Sequence, residues 1–159
     1  MQLRFEEVLS TDASFDALLQ RHFDLMRASS PEESCHVMSA DQLRAEGARV
    51  FAGRDNDGRA WAIGAFLDIG ENRAELKSMH CHDALRGQGA GRALLAHLMA
   101  AARSEGMTSL WLETGSAPEF LPAQKLYARA GFEPCPPFGS YKEDPLSLFM
   151  TRPLTAYQN

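Results

Sequence analysis

The stretch ELKSMHCHDALRGQGAG, residues 75–91, decides how the rest of the chain is read. Its first half completes a strand predicted over Arg73–Cys81. Its second half sets Gly87, Gly89 and Gly91 at the start of a helix predicted over Gly89–Ser104. Glycines between a strand and a helix leave backbone N–H groups open to a phosphate. The helix dipole adds a partial positive charge there, and Arg86 and Arg92 add full ones. A pyrophosphate suits such a segment, although a plain glycine-rich turn fits it equally well when it is taken alone. A P-loop needs G-x-x-x-x-G-K-[ST], and no Lys-Ser/Thr pair follows. A Rossmann turn needs G-x-G-x-x-G, whereas this chain has G-x-G-x-G with Arg92 in the third glycine's place. Glu113 does mimic the ribose-binding acid of that fold, but the strands upstream argue against it.

Upstream, Arg49–Arg54 and Arg59–Ile69 flank the turn Asp55-Asn56-Asp57-Gly58, a hairpin signal. Gly70-Glu71-Asn72 is a second turn into the Arg73 strand. Before these, Leu3–Leu9 reads as a first strand. Ser14–Arg27 reads as a helix with Phe15, Leu18, Leu19, Phe23 and Met26 on one face. A short helix over Asp41–Glu46 is capped by Ser39 and ended by Gly47. The Gly89–Ser104 helix carries Leu94, Leu95, Leu98, Met99 and Ala102 as its apolar stripe, and Gly106 stops it.

Downstream come a strand over Thr108–Glu113, a helix ending at Ala130, a Pro- and Gly-rich loop over 134–145, and a strand over Leu146–Thr151. The last helix has two candidate starts. One is a capping box of Ser116 and Glu119; the other, which fits better, is a later start with Pro122 in the first turn. The order predicts a mixed α/β (α+β) layer structure rather than a regular doubly wound sheet.

These segments resemble the GCN5-related N-acetyltransferase (GNAT) family. Residues 75–91 are similar to its strand, R/Q-x-x-G-x-G/A turn and helix. Leu110-Trp111-Leu112-Glu113 is similar to its next strand, and Lys125–Phe132 to its L-Y-x-x-x-G-F helix. A finer resemblance is to the YsnE-like branch, through Ser30–His36, Leu112–Ser116 and the Tyr141–Met150 segment. The resemblance implies the GNAT fold, a mixed, mostly antiparallel central sheet of about six to seven strands with helices on both faces. It also implies an acetyl-CoA-dependent N-acetyltransferase in which a primary amine of a small molecule or peptide attacks the thioester directly. A non-catalytic acyl-CoA-binding or sensing module of the same fold is the alternative.

Carried over by motif, the backbone of Met79, His80 and Cys81 meets the acetyl and pantetheine portion, where an N–H stabilises the oxyanion. Arg86, Gly87, Gln88, Gly89, Ala90, Gly91 and Arg92 hold the pyrophosphate. Glu113 matches a catalytic glutamate that deprotonates the amine, with His80 as an alternative base. Tyr127 matches the tyrosine that hydrogen-bonds the leaving thiolate. Glu33, Ser34 and His36, after the first helix, and Tyr141 and Asp144 in the late loop are candidates for the acceptor. His80 and His82 share a strand face by spacing, but no third ligand stands nearby, so no metal is expected. His97 reads as a core or edge histidine. The resemblance leaves a homodimer possible.

Composition bounds the rest. The 159 residues suit a single domain spanning 1–159, with 45% hydrophobic and 23% charged residues as in ordinary globular proteins. A net charge of −5 argues against nucleic acid or an anionic membrane as partner. The run Ala84–Ser104 carries Arg86, Arg92 and Arg103 and no acid, which suits a small anionic ligand. Cys35, Cys81 and Cys135 are odd in number and form no C-x-x-C, the pattern of free thiols in a reducing cytoplasm. The N-terminal MQLRFEEVLS lacks an apolar signal core, and the longest apolar run, Ala60–Leu67, is too short to cross a bilayer.

Overall fold

The computed structural model describes residues 2–10, 12–29 and 39–154. Its elements run β1 (Arg4–Glu7), α1 (Ala13–Ser29), α2 (Ala40–Ala45), β2 (Arg49–Arg54), β3 (Ala60–Gly70) and β4 (Arg73–Cys81). They continue with α3 (Ala90–Ser104), β5 (Ser109–Gly115), α4 (Leu121–Arg129), β6 (Glu133–Pro134) and β7 (Ser147–Pro153). One sheet of seven strands results, in the order β1-β2-β3-β4-β5-β7-β6. β4 and β5 are parallel, and the other neighbouring pairs are antiparallel.

Local chemistry sets these elements. Asp55 holds the β2–β3 turn by accepting from the N–H groups of Asp57 and Arg59 and from Trp61 Nε1 at 2.9, 3.0 and 2.7 Å. Ser39 and Gln42 form a reciprocal capping box that starts α2. Alternation along β2 and β3 then divides the core. Val50, Ala52, Ile63 and Ala65 pack with Phe15 and Leu18 of α1 and Leu43 of α2. Phe51, Ala62 and Phe66 pack with Leu94, Leu95 and Leu98 of α3. Helices therefore cover both faces, with α1 and α2 on one and α3 and α4 on the other.

Two sequence expectations change, and the preferred start of the last helix holds. β6 lies at the edge of the segment read as a loop, because a two-residue pairing with β7 through Glu133↔Thr151 leaves almost no periodicity to detect. β1 shortens to the four residues that face β2. α4 takes the later of its two starts. Pro118–Phe120 forms a single 3₁₀ turn, and Pro122 stands in the helix's first turn. Ser116 caps nothing there; its hydroxyl donates to the Pro145 carbonyl at 2.6 Å.

The parallel pair positions the site. Its register runs Arg73↔Ser109, Ala74↔Leu110 and Glu75↔Trp111, then stops, although β4 continues to Cys81 and β5 to Gly115. Beyond Glu75 the two strands separate. A bulge in β4 accompanies the split: Ser78 has φ of 56°, and the β3–β4 register shifts between Ile63 and Ala65. Bulges bend a strand and increase its twist. Gly64 stands opposite. A Cβ on it would lie 2.8 Å from Leu98 Cδ1 and 3.2 Å from Met79 Cγ, so a side chain there would have to displace Leu98 and crowd Met79 at the bulge.

Candidate active site

The split opens into a cleft of about 560 Å³. β4 and β5 form its walls. His22, Leu25 and Met26 of α1 close one side, and Leu126 and Tyr127 of α4 the other. The bulge changes which β4 side chains face where. Ala74 and Leu76 belong to the α3 core, and after Ser78 it is Met79 and Cys81 that pack there. Glu75, Lys77 and His80 fall on the opposite side by alternation.

The backbone of β4 offers an unpaired edge. His82 N–H donates to the Trp61 carbonyl at 2.8 Å, toward β3. Antiparallel strands alternate the direction of successive residues' polar groups, so Cys81 and then Met79 turn theirs to the side where β5 has departed. The backbone of His80 faces β3, paired with Ile63.

The glycine turn lies beyond Cys81. His82 Nδ1 accepts from Ala84 N–H at 3.0 Å and starts a one-turn 3₁₀ helix over Asp83–Leu85. Gly87 and Gly89 then adopt φ of 77° and 83°, a conformation other residues reach only with strain. Nothing described lies within 4 Å of a Cβ built on either, so the turn is open to solvent. The N–H groups of Gly87 and Gly89 have no backbone partner among the described residues. Those of Ala90, Gly91 and Arg92 are orphaned as the first turn of α3. Gln88 folds back, its amide donating to the Ala84 carbonyl at 3.0 Å. Arg86 and Arg92 are exposed, and Arg86 lines the cleft.

Tyr127 is buried at 8% exposure, between the turn and the split. Its hydroxyl meets Met79 Sδ at 3.8 Å, a weak acceptor. Burial, then the neighbouring Cys81 and Glu113, push its pKa well above the usual tyrosine value. Burial also pushes the Cys81 thiol up to about 11, so it stays protonated. Glu113, across the split on β5, accepts a 2.7 Å hydrogen bond from Ser147 Oγ of β7.

The histidines do not pair as their spacing suggests. β4 ends at Cys81, so His82 caps the next turn and lies 4.8 Å from the Trp61 ring. His80 instead meets His22 of α1, ring centroids 5.5 Å apart. Burial, then the His80 charge, lowers the His22 pKa to about 4, and burial foremost lowers that of His80. His80 Nε2 is sealed and has no hydrogen-bond partner among the described residues. His97 stacks on Phe5 and meets Phe51 edge-on, an edge histidine of the core.

Tyr141 reaches the cleft from the late loop and donates to Glu75 Oε2 at 2.5 Å. Asp144 caps that loop by accepting from Leu146 N–H at 2.9 Å. Glu33, Ser34 and His36 lie outside the described residues. Sequence reasoning missed Glu75, Lys77, His22 and Ser147. Glu75 and Lys77 are spaced to share a strand face, and His22 falls on the helix face of Leu18 and Met26, so periodicity could have found those three. Ser147 needed the β5–β7 register.

A mostly antiparallel sheet split between two parallel strands, with a glycine turn and a helix N-terminus beyond the split, defines an acyl-CoA N-acyltransferase fold. The Acetyltransferase (GNAT) family model matches residues 15–132. The chain is 36% identical over 138 residues to the uncharacterized N-acetyltransferase YsnE of Bacillus subtilis, covering 87% of this chain and 91% of YsnE. It is 31% identical over 149 residues to the uncharacterized N-acetyltransferase YedL of Escherichia coli, covering 94% and 92%. A Klebsiella pneumoniae structure assigned as an acyl-CoA N-acyltransferase superimposes with a TM-score of 0.81 at 32% identity, over 96% of this chain and 98% of that one. The chain belongs to the GNAT family of acetyltransferases. Among the described residues, no helix is long and apolar enough to cross a membrane.

Proposed function

We propose that the chain transfers an acetyl group from acetyl-CoA to a primary amine of a small molecule or peptide, by direct attack of the amine on the thioester. The observation that carries this reading is the split itself: a β4 edge at Met79 and Cys81 that β5 does not pair leads to open N–H groups at Gly87 and Gly89–Arg92. Acetyl-CoA supplies the activated acetyl group. The orphaned N–H groups and the Arg86 and Arg92 charges suit its pyrophosphate. The β4 edge suits the pantetheine amides and the thioester oxygen.

Glu113 is the base that takes the proton from the ammonium. His80 serves less well, because its Nε2 is sealed and burial weakens it as a proton acceptor. Tyr127 donates a hydrogen bond to the departing sulfur. The protonated Cys81 thiol favours direct attack over an acyl-cysteine route. Tyr141, and Glu33, Ser34 and His36 from the segment after α1, belong to the acceptor side in this reading.

Acetyl-CoA is expected to protect the protein from thermal unfolding, and NAD is not. An amine panel is expected to release CoA. Glu113→Gln is expected to lower turnover by ~10²- to 10⁴-fold while protection persists. Protection without CoA release from any amine would favour the sensing module. No protection at all would end the acetyl-transfer reading.

A further inference from the structure

Lys77 is a mostly buried cation whose side chain, 15% exposed, lines the cleft. A buried ammonium needs acceptors for its three donors. Among the described residues, the contact found for Lys77 Nζ is Glu75 Oε2 at 3.5 Å. Charge-assisted N–H···O bonds run at ~2.7–2.9 Å, so this is a nearby counter-charge rather than a made bond. The same oxygen already accepts the 2.5 Å hydrogen bond from Tyr141. Glu75 is thus held by Tyr141, and the donors of Lys77 stay open to the cleft.

The place of Lys77 matters as much as its charge. Carried two residues past Glu75↔Trp111, the parallel register sets Lys77 across from Glu113, where the strands have separated. A cation and an anion therefore flank the split from opposite walls. A polyamine would set a second ammonium beside Lys77, where the nearby anion, Glu75, is already engaged by Tyr141 and Lys77. A chain N-terminus offers no carboxylate close to its amine.

We propose that the acceptor is an amino-carboxylate: its carboxylate binds the Lys77 ammonium while its amine faces Glu113. The proposal rests on the acetyl-transfer reading above. Leu25 and Met26 of α1 line the same cleft, which matches an α-amino acid with an apolar side chain.

The test uses matched probes: L-leucine, L-leucinamide and 3-methylbutylamine, and the corresponding phenylalanine set. Rates of CoA release are compared per neutral amine, since the amides ionise at lower pH. The wild type is expected to favour the free acid over the amide in kcat/KM by ~10- to 100-fold. Lys77→Met is expected to collapse that ratio while acetyl-CoA still raises the melting temperature. A second readout needs no turnover. With CoA saturating, N-acetylleucine is expected to raise the melting temperature of the wild type but not of Lys77→Met, and N-acetylleucinamide to leave both unchanged.

If Lys77→Met does not fold, the Lys77→Gln/Glu75→Gln pair replaces it, and the wild-type arms stand alone. A wild type that prefers the amide or the plain amine, or a variant that keeps the acid preference, overturns the proposal. Protection by acetyl-CoA together with turnover of carboxylate-free amines alone sinks this proposal and leaves acetyl transfer standing. Neither protection nor CoA release with any amine sinks both.

Discussion

Replacing Tyr127 with Phe removes one oxygen from the junction of β4 and α4, and the structure separates its effect on folding from its effect on chemistry. The ring stays: it packs edge-on against Phe132 at 5.7 Å, and Phe keeps that contact. The hydroxyl has only the Met79 sulfur at 3.8 Å among the described residues. A buried hydroxyl with a poor partner contributes little, so stability should move by no more than about 1 kcal/mol in either direction. Acetyl transfer would respond far more. A hydrogen bond to a charged group contributes ~1.5–3 kcal/mol. At ~1.36 kcal/mol per factor of ten, its loss slows kcat by ~10- to 150-fold. Full proton transfer from Tyr127 is not required. Reference values of ~10 for tyrosine and ~8.5 for a thiol already make it uphill by roughly 2 kcal/mol, and burial raises the tyrosine further. The kcat of the wild type should therefore show no loss from Tyr127 ionisation as pH rises toward ~10. Steady-state CoA release at saturating acetyl-CoA, beside a melting curve, measures both effects. Full turnover by a stable variant would refute the donor role. A large drop in melting temperature would refute the claim that the hydroxyl contributes little to folding.

Two further outcomes follow from the packing. Gly64→Ala should destabilise by ~1–3 kcal/mol in denaturant unfolding and weaken acetyl-CoA protection, because the new Cβ meets Leu98 Cδ1 at 2.8 Å and Met79 Cγ at 3.2 Å; unchanged stability and protection would remove the bulge contact from the account. His22, with its folded pKa lowered to about 4 from 6.5, takes up its proton in the unfolded chain first, so its contribution is full above 6.5 and is lost as pH falls toward 4. That loss is on the order of 3 kcal/mol, His80 shifts in the same direction, and His22→Leu should flatten the pH dependence of unfolding in this window; an equally steep variant would show that His22 does not cause it.

Most of the fold was legible because long periodic segments carry it. The α3 stripe from Leu94 to Ala102 and the Asp55–Gly58 turn are local signals, and the structure keeps them. β6 was not legible, since Glu133 and Pro134 become a strand only by lying beside Thr151 and Met150. The glycine turn could be read for the same local reason as α3: its chemistry is written in consecutive residues. The side-chain pairs of the cleft could not. Glu75 is meaningful beside Tyr141, and Glu113 beside Ser147, and those partners are separated in sequence by 66 and 34 residues. The His80–His82 reading failed at a boundary, because strand alternation was carried one residue past the end of β4.

The bulge at Ser78 gives β4 two different surfaces along one strand. A strand of strict alternation gives each face every second side chain. β4 interrupts this by one residue, so the face that receives Glu75 and Lys77 next receives His80, and the α3 face passes from Leu76 to Met79. A non-glycine residue at φ 56° costs ~1–2 kcal/mol, and the β3–β4 ladder on either side of Ser78 holds it. That strain accompanies three results at once. The pairing with β5 ends at Glu75, just before the bulge, and the split opens there. The edge at Met79 and Cys81 loses its partner strand, which leaves its main-chain groups facing the cleft. Charged side chains are confined to the part of β4 before the bulge, while sulfur-bearing and apolar ones, Met79 and Cys81, border Tyr127 after it. Deleting Ser78 would join Lys77 directly to Met79 and keep Met79 and Cys81 on the face of Leu76, so the faces would stand and the bulge, with the bend and added twist it brings, would be what is lost.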